Sequence, residues 1–379
     1  MARKLKSDKW LFLATLALVC ASVVMVYSAS AVILNEGGKN QYSYLLKQGT
    51  FALFGLACVQ LIMRVDYRTY RQPMVIWTVL GSVVLALIVV LVVGREVKGA
   101  TRWLHIGPLS LQPSEFAKIA VILFIAALLE RRMERIDEPT YALAPIGAVL
   151  GTILGLIVIQ PDLGTAFSIA IIAATMIFAA GLSYQYLAAI VAMAIPGLAI
   201  LIYTEPYRWA RIVSFMDPWA SPLKEGYQVI QSMISVSVGG IFGRGLMDGL
   251  QKLFYLPEPH NDFIYAVISE EFGLIGATVV LGCFCIIAWR GMRTALRAPD
   301  RFGSFLAIGL TTMIAFQALF NISVVLGLLP TKGIPLPLVS YGGSSLLINL
   351  IGMGILLNVS QHASGSQIVT MTLPTTADA

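Results

Sequence analysis

The sequence predicts an all-α polytopic membrane protein of ten transmembrane helices, with one long extracytoplasmic loop between the seventh and the eighth. Three observations predict it. Of 379 residues, 58% are hydrophobic and only 12% are charged, and the mean hydropathy of +0.81 lies well above that of a soluble domain. Apolar runs long enough to cross a hydrocarbon core of about 30 Å, which takes ~20 helical residues, recur along most of the chain. These runs are apolar on all sides, whereas barrel strands alternate over segments of ~10 residues, so the spans are helices that satisfy their own backbones.

The first span, 10–33, follows Arg3, Lys4, Lys6 and Lys9 and ends near the small-residue stretch SASA. Its apolar run exceeds the 7–15 residues of a signal-peptide core and more spans follow, so it reads as an uncleaved anchor. Spans 43–63 and 74–93 flank a turn bearing Arg64, Arg68 and Arg71. Span 113–129 opens on Pro113, a residue suited to the first helical turn, and gives way to Arg131, Arg132 and Arg135. Spans 142–159 and 163–181 are joined by IVIQPDLGTA, where Pro161 cannot continue a helix and Asp162 can cap the next one. Span 184–203 precedes the loop 204–262, and spans 263–289, 303–328 and 342–359 complete the set. Residues 1–361 read as a single transmembrane domain, and the polar, Thr-rich segment 362–379 as a disordered cytoplasmic tail.

A net charge of +6 does not point to nucleic acid here, because the cations sort by loop. With the N-terminus in the cytoplasm, the inner loops receive the clusters 3–9, 64–71, 131–135 and Arg290 to Arg301, while the first outer loop holds Lys39 and Lys47 and the last holds Lys332. This is the positive-inside pattern, and ten crossings place both termini in the cytoplasm. Two outer loops break it. Arg95, Lys98 and Arg102 precede span four, with Lys118 just inside that span, and Arg208, Arg211, Lys224, Arg244 and Lys252 lie in 204–262. Cations gathered on the translocated side indicate an anionic ligand there. Long loops also translocate regardless of charge, so the second cluster alone does not decide the matter.

A loop as long as 204–262 is usually functional. Pro206, Pro218 and Pro222 break its first part, and VIQSMISVSVGGIFGRGL is too polar and Gly-rich for a span, so it is placed as interfacial or re-entrant. Cys20, Cys58, Cys283 and Cys285 lie in apolar spans, and the two in CFC point to different sides of a helix; neither a disulfide nor a metal site is indicated. The three histidines show no paired-ligand spacing, SYGGSS lacks the spacing of a nucleophile elbow, and GRGLMDG lacks the GK[ST] of a phosphate loop.

Three polar clusters fall on the outer side: GATRWLHIGPLSLQPSEFAK, LPEPHNDFIYAVISEEFG and LPTKGIPLPLVSYGGSS. Polar residues at membrane depth are costly and ask for a reason. Glu115 and Lys118 are three apart and share a helix face, which makes them an ion pair. Asp262 precedes an apolar run, so helix capping is its plainest role, yet Tyr265 stands where a capping box needs Glu or Gln. Glu270 and Glu271 read as structural residues at the interface, on a helix that extends above the membrane. PTKGIPLPLVSYGG combines glycines that let backbone amides approach a ligand with Lys332 as a point charge.

Taken together, GATRWL, QPSEFAK, QPDLGTA, YRWARIVSFMDPW, GYQVIQS, LPEPHNDFIYAVISEEFG and PLPLVSYGGSS resemble the SEDS family (shape, elongation, division and sporulation) in content and order, from Trp10 to Gln361. PTKG and QKLFYLPEPH are closer to its FtsW branch than to its RodA branch. The resemblance implies a ten-span peptidoglycan glycosyltransferase that polymerises lipid II on the outer face of the bacterial cytoplasmic membrane, for septal synthesis in cell division. It implies Asp262 of HNDF as the catalytic residue, although the family often has Thr where Asn261 stands. It places Glu115, Lys118 and Asp162 in the central cavity, with Arg102 and Lys332 as cavity cations. Undecaprenyl pyrophosphate would be the lipid product, and a class B penicillin-binding transpeptidase and other divisome membrane proteins the partners. The chemistry agrees: a positioned base takes the proton of the acceptor hydroxyl, and the leaving pyrophosphate calls for cations, from side chains or a divalent ion such as Mg2+ or Mn2+. A retaining enzyme would need a second carboxylate nearby, for which Glu115 and Asp162 remain open. The rival readings are an elongation polymerase of the RodA type, a lipid II flippase and a scaffold without chemistry. No inverted repeat relates the two halves, and the polar residues gather on one side, which favours the enzyme.

Overall fold

The computed structural model describes residues 7–38, 40–97, 100–106, 109–136, 138–224, 226–253 and 255–370. Its helices are α1 (Lys9–Glu36), α2 (Ser43–Ile62), α3 (Pro73–Val93), α4 (Pro113–Arg132), α5 (Ala144–Ile159), α6 (Leu163–Ala179), α7 (Tyr184–Tyr203), α8 (Pro206–Met216), α9 (Tyr227–Gly239), α10 (Ile264–Arg297), α11 (Arg301–Val325) and α12 (Gly343–Thr370). All but α8 and α9 fall on the predicted spans. Eight of the described helices are long and apolar enough to cross a membrane. Of the other two at predicted spans, α6 has 17 residues and α4 carries charges near both ends, from Glu115 and Lys118 to Arg131 and Arg132.

Local chemistry sets the helix ends. Asp8 accepts from the amides of Trp10 and Leu11 at 3.1 and 3.2 Å, Asp300 accepts from Gly303 at 2.7 Å, and Pro73 and Pro113 occupy first turns. α4, α11 and α12 form the buried centre, whereas α7 has no fully buried residue and is mostly exposed along its length. Lipid removes the hydrophobic drive between helices, so close packing holds them. Gly309 shows this, since a Cβ there would lie 2.7 and 2.8 Å from Met176 Sδ and Ile122 Cγ2. At the end of the bundle where α2 ends and α12 runs out, Asn358 of α12 donates to the carbonyls of Ile62, Met63 and Val65 at 3.2, 3.2 and 2.8 Å and accepts from the Tyr67 amide at 3.0 Å. It thereby satisfies orphaned carbonyls at the end of α2.

The structure departs from the sequence expectation in five places. The segment before α4 forms an antiparallel sheet of β1 (Arg95–Val97), β2 (Ala100–Ile106) and β3 (Leu109–Leu111), with Trp103 opposite Arg95 and Leu104 opposite Leu111. The long loop contains α8 and α9, the latter packed on α10. α12 continues as helix to Thr370, into the expected disordered tail. The remainder of that tail, with Lys39, Lys98, Arg3, Lys4 and Lys6, lies outside the described residues.

The fourth departure is a break in α10. Gly273 adopts φ 63°, ψ −160°, which separates Ile264 to Phe272 from the remainder. Loop residues cover the break: the amides of Arg244 and Gly245 donate to the carbonyls of Glu270 and Glu271, both at 3.0 Å, and the amides of Leu274 and Ile275 donate to Gly240 and Ile241 at 2.9 and 3.3 Å. Every freed backbone group there needs such a partner.

The fifth follows from it. Glu270 and Glu271 do not stand at an exposed interface; they are 0% and 1% exposed, because the loop packs over them. Glu270 accepts from the amides of Leu250 and Gln251 at 2.7 and 3.2 Å. Glu271 takes Lys252 Nζ at 2.5 Å and Ser28 Oγ of α1 at 2.6 Å, and Lys252 also reaches Ser28 Oγ at 2.9 Å. Their structural role stands, and it is a latch across α1, the loop and α10.

Candidate active site

Asp262 sits in the turn that opens α10, with its backbone held from three sides. Asn321 of α11 donates to the Asp262 carbonyl at 2.8 Å and to that of Ile334 at 2.9 Å. Ser340 donates to the Asn261 carbonyl at 2.6 Å while accepting from the Leu336 amide at 2.8 Å. The Tyr341 amide donates to the His260 carbonyl at 2.9 Å, and the rings of Tyr44, His260 and Tyr341 pack with centroids 4.4 to 5.7 Å apart. The cap of α10 is Phe263, with no side-chain capping bond. The Asp262 carboxylate stands one residue before that cap. It is partly exposed and faces Gly333, where a Cβ would stand 3.2 Å from Asp262 Oδ2.

Asp162 is the opposite case. It is buried and caps α6, accepting from the Thr165 amide at 3.3 Å and the Thr165 hydroxyl at 2.8 Å. Gln112 Nε2 and Ser114 Oγ, from the start of α4, donate to Oδ2 at 3.0 and 3.1 Å. Arg102 of β2 approaches Oδ1 at 3.8 Å and donates to the carbonyls of Gln160 and Pro161. These donors fix the Asp162 carboxylate in place. Glu115 is likewise committed, with both oxygens 2.9 Å from Lys118 Nζ inside α4, and the pair is buried.

The segment between α11 and α12 links the two carboxylates. A Cβ on Gly164 would lie 3.2 Å from Ile334 Cγ1 and 3.8 Å from the Gly333 carbonyl, so the PTKG turn touches the start of α6 and Asp262 together. Burial, opposed by the pull of Asp162 and joined by the charges of Arg208, Arg211 and Arg102, brings the Lys332 ammonium down to about 8 in all. Arg211 Nη1 donates to the Thr331 carbonyl at 3.4 Å. The structure thus brings Arg102, Asp162, Lys332 and Asp262 to one end of the bundle. Glu115 and Lys118 lie just beyond Ser114, paired with each other. Among the described residues no group of three or more His, Cys, Asp or Glu is arranged to hold a metal ion.

Residues 9–365 match the family model FTSW_RODA_SPOVE, described as cell cycle protein. The chain belongs to the FtsW/RodA/SpoVE family. A probable peptidoglycan glycosyltransferase FtsW of Geobacter metallireducens is 42% identical over 95% of this chain and 96% of its own. Stage V sporulation protein E of Bacillus subtilis is 41% identical over 95% and 99%. Among solved structures, a chain of a peptidoglycan synthase complex that coordinates polymerization and crosslinking superposes with a TM-score of 0.78 at 30% identity, covering 95% of this chain and 99% of that one. The rod shape determining protein RodA of Thermus thermophilus gives 0.69 at 28%, covering 94% and 97%. The chain is a multi-pass membrane protein of this family, and the family resemblance read from its motifs holds.

Sequence reasoning missed Gln112, Ser114 and Thr165 as the donors that saturate Asp162, and Asn321 as the clamp on Asp262. An Asn inside an apolar span was a legible sign, since a lone amide there needs partners.

Proposed function

We propose that this chain polymerises lipid II into glycan strands on the outer face of the cytoplasmic membrane, as an FtsW-type peptidoglycan glycosyltransferase of septal wall synthesis. α1 to α7 and α10 to α12 are its ten crossings, both termini face the cytoplasm, and a class B penicillin-binding transpeptidase and other divisome proteins work beside it. One observation carries the reading: Asp262 is partly exposed and stands against the loop that bears Lys332.

Asp262 removes the proton from the acceptor sugar's hydroxyl as that oxygen attacks the anomeric carbon of the lipid-linked chain. The bond from that carbon to the pyrophosphate oxygen breaks, and the pyrophosphate leaves with its lipid. Lys332 and Arg102 neutralise the charge that develops on it. The engaged states of Asp162 and Glu115 support an inverting reaction with one base, because neither carboxylate is free to act as a nucleophile. Lys118 orients Glu115 and lends the cavity wall a balanced charge.

The test is Asp262→Asn, which keeps the size of the side chain. Polymerisation of labelled lipid II by the purified protein, with moenomycin present to silence other polymerases, should fall by about 10²–10⁴. Thermal stability should stay near the wild-type level, since Asn matches Asp in size and can fill the same capping role. Near-normal polymerisation by this variant would overturn the mechanism.

A further inference from the structure

α8 wears its charge on the face that a soluble helix would keep apolar. At 100° per residue, Arg208, Arg211 and Phe215 fall within an arc of about 60°, and Trp209, Val213 and Met216 within another such arc on the far side. The second group is exposed, Trp209 by 41%, Val213 by 48% and Met216 by 78%, with Trp219 following at 65%. Both arginines are partly buried. Water would not favour that arrangement; an outer-leaflet interface would, with the aromatic face in lipid. Trp209 also stacks on Tyr203 at the end of α7, with centroids 4.6 Å apart.

On the inner face, Arg211 reaches the Thr331 carbonyl beside Lys332, and Arg208 Nη1 donates to the Leu201 carbonyl at 2.7 Å. Tyr207 carries both guanidinium groups over its ring, at 5.5 and 5.7 Å. Arg102 has Asp162 Oδ1 at 3.8 Å, while Arg208 and Arg211 are engaged by backbone carbonyls and the Tyr207 ring. Arg102, Arg208, Arg211 and Lys332 outnumber the carboxylates Asp162 and Asp262 at this end of the bundle, and the three arginines repel the Lys332 ammonium, so an arriving anion relieves an excess of positive charge. A phospholipid phosphodiester brings one negative charge, while a pyrophosphate diester brings two in line, which suits two planar guanidinium forks and an ammonium better.

We propose that Arg208 and Arg211, carried on an outer-leaflet interfacial helix, close with Lys332 on the pyrophosphate of a polyprenyl-linked substrate as it stands in the headgroup layer. The identity of the substrate rests on the glycosyltransferase reading; the anion site does not. The experiment uses full-length protein in phosphatidylcholine nanodiscs doped with polyprenyl pyrophosphate, polyprenyl monophosphate or phosphatidylglycerol, with binding measured directly and lipid II polymerisation in parallel. The wild type should favour the pyrophosphate lipid. Arg208→Gln with Arg211→Gln should weaken that binding about 10- to 100-fold per arginine, and Arg208→Lys with Arg211→Lys should restore part of it at unchanged thermal stability. Brominated lipids should quench the emission that Trp209→Phe removes. Undiminished pyrophosphate binding by the Gln pair, an equal preference for phosphatidylglycerol, or an unquenched Trp209 overturns the proposal. If the wild type polymerises while the Gln pair binds normally, the clamp fails and the enzymatic reading stands. If the wild type binds pyrophosphate lipid through these arginines yet never polymerises, the reverse holds.

Discussion

Removing either partner of the Lys252 and Glu271 pair should harm the protein far more than removing both. Lys252 and Glu271 are 2% and 1% exposed, so Glu271→Ala leaves a buried ammonium with Ser28 Oγ as its remaining partner among the contacts at that site. Breaking a buried pair in this way costs about 3–5 kcal/mol, whereas replacing both charges with apolar groups of similar volume is neutral or stabilising by roughly 1–4 kcal/mol. Glu271→Gln keeps an oxygen for Ser28 and Lys252 and loses only the charge-assisted part, on the order of 1–3 kcal/mol. Lys252→Met with Glu271→Leu should therefore unfold near the wild-type temperature, while each single apolar variant unfolds well below it. The latch lies across the break at Gly273, and the helical segment before the break begins beside Asp262. Polymerisation should accordingly fall in the single variants and return in the double variant. The measurement is thermal unfolding of the four proteins in nanodiscs as a double-mutant cycle, with lipid II turnover on each. Additive shifts, leaving a coupling below about 0.5 kcal/mol, would show that the two charges do not act as a unit.

Lys332 is a cation below about 8 and neutral above it, so the KM for lipid II should rise as pH increases through that value. Lys332→Arg keeps its charge and should remove this alkaline limb; an unchanged limb in the variant assigns it elsewhere. Gly333→Ala places a methyl 3.2 Å from Asp262 Oδ2, closer than ordinary contact, and should lower polymerisation about tenfold or more by displacing the carboxylate at near wild-type thermal stability. Full activity would mean that the turn does not hold Asp262. In a protein whose four cysteines are replaced, Lys224→Cys should react with an impermeant thiol reagent in intact spheroplasts and Pro299→Cys should not, both positions being exposed. The opposite pattern would invert the membrane orientation.

The spans were legible because hydropathy and proline act locally. Tyr184–Tyr203 emerged with the predicted bounds, and the other starts and ends moved by a few residues, apart from the extensions of α10 and α12. What stayed hidden depends on tertiary partners. ISEEFGLIGATVV reads as unbroken helix, and only a loop packed alongside lets Gly273 adopt a positive φ and leave the helical ladder. Without that break a straight helix carries Glu270 and Glu271 up to the interface, which is why their burial was not foreseen. Lys252 is 19 residues from Glu271 in sequence and Ser28 is 243 away, so no spacing rule joins them. Asp262 stood out in the sequence because its surroundings lack a capping box, and in the structure Phe263 holds the cap position of α10. Asp162, which the same style of reading placed beside it, caps α6 through Thr165.

The site's electrostatics follow from the topology as much as from its side chains. Successive helices run in opposite senses, so α4, α6, α10 and α12 all begin at one end. The contacts knit those beginnings together: Gln112 and Ser114 reach Asp162, Gly164 abuts Ile334, Gly333 faces Asp262, and Tyr341 binds His260. Each helix start presents unpaired amides and a partial positive charge of about half a unit. Asp162 already neutralises that of α6, while α4 and α10 have no side-chain cap. In the mechanism proposed above, several helix starts and the cations Arg102, Arg208, Arg211 and Lys332 share the task of receiving an anion, while one carboxylate, Asp262, acts as the base. A distributed task degrades gradually: loss of one cation should weaken substrate binding without abolishing turnover. A task held by one atom group does not, so Asp262→Asn should leave binding nearly intact and remove the chemistry.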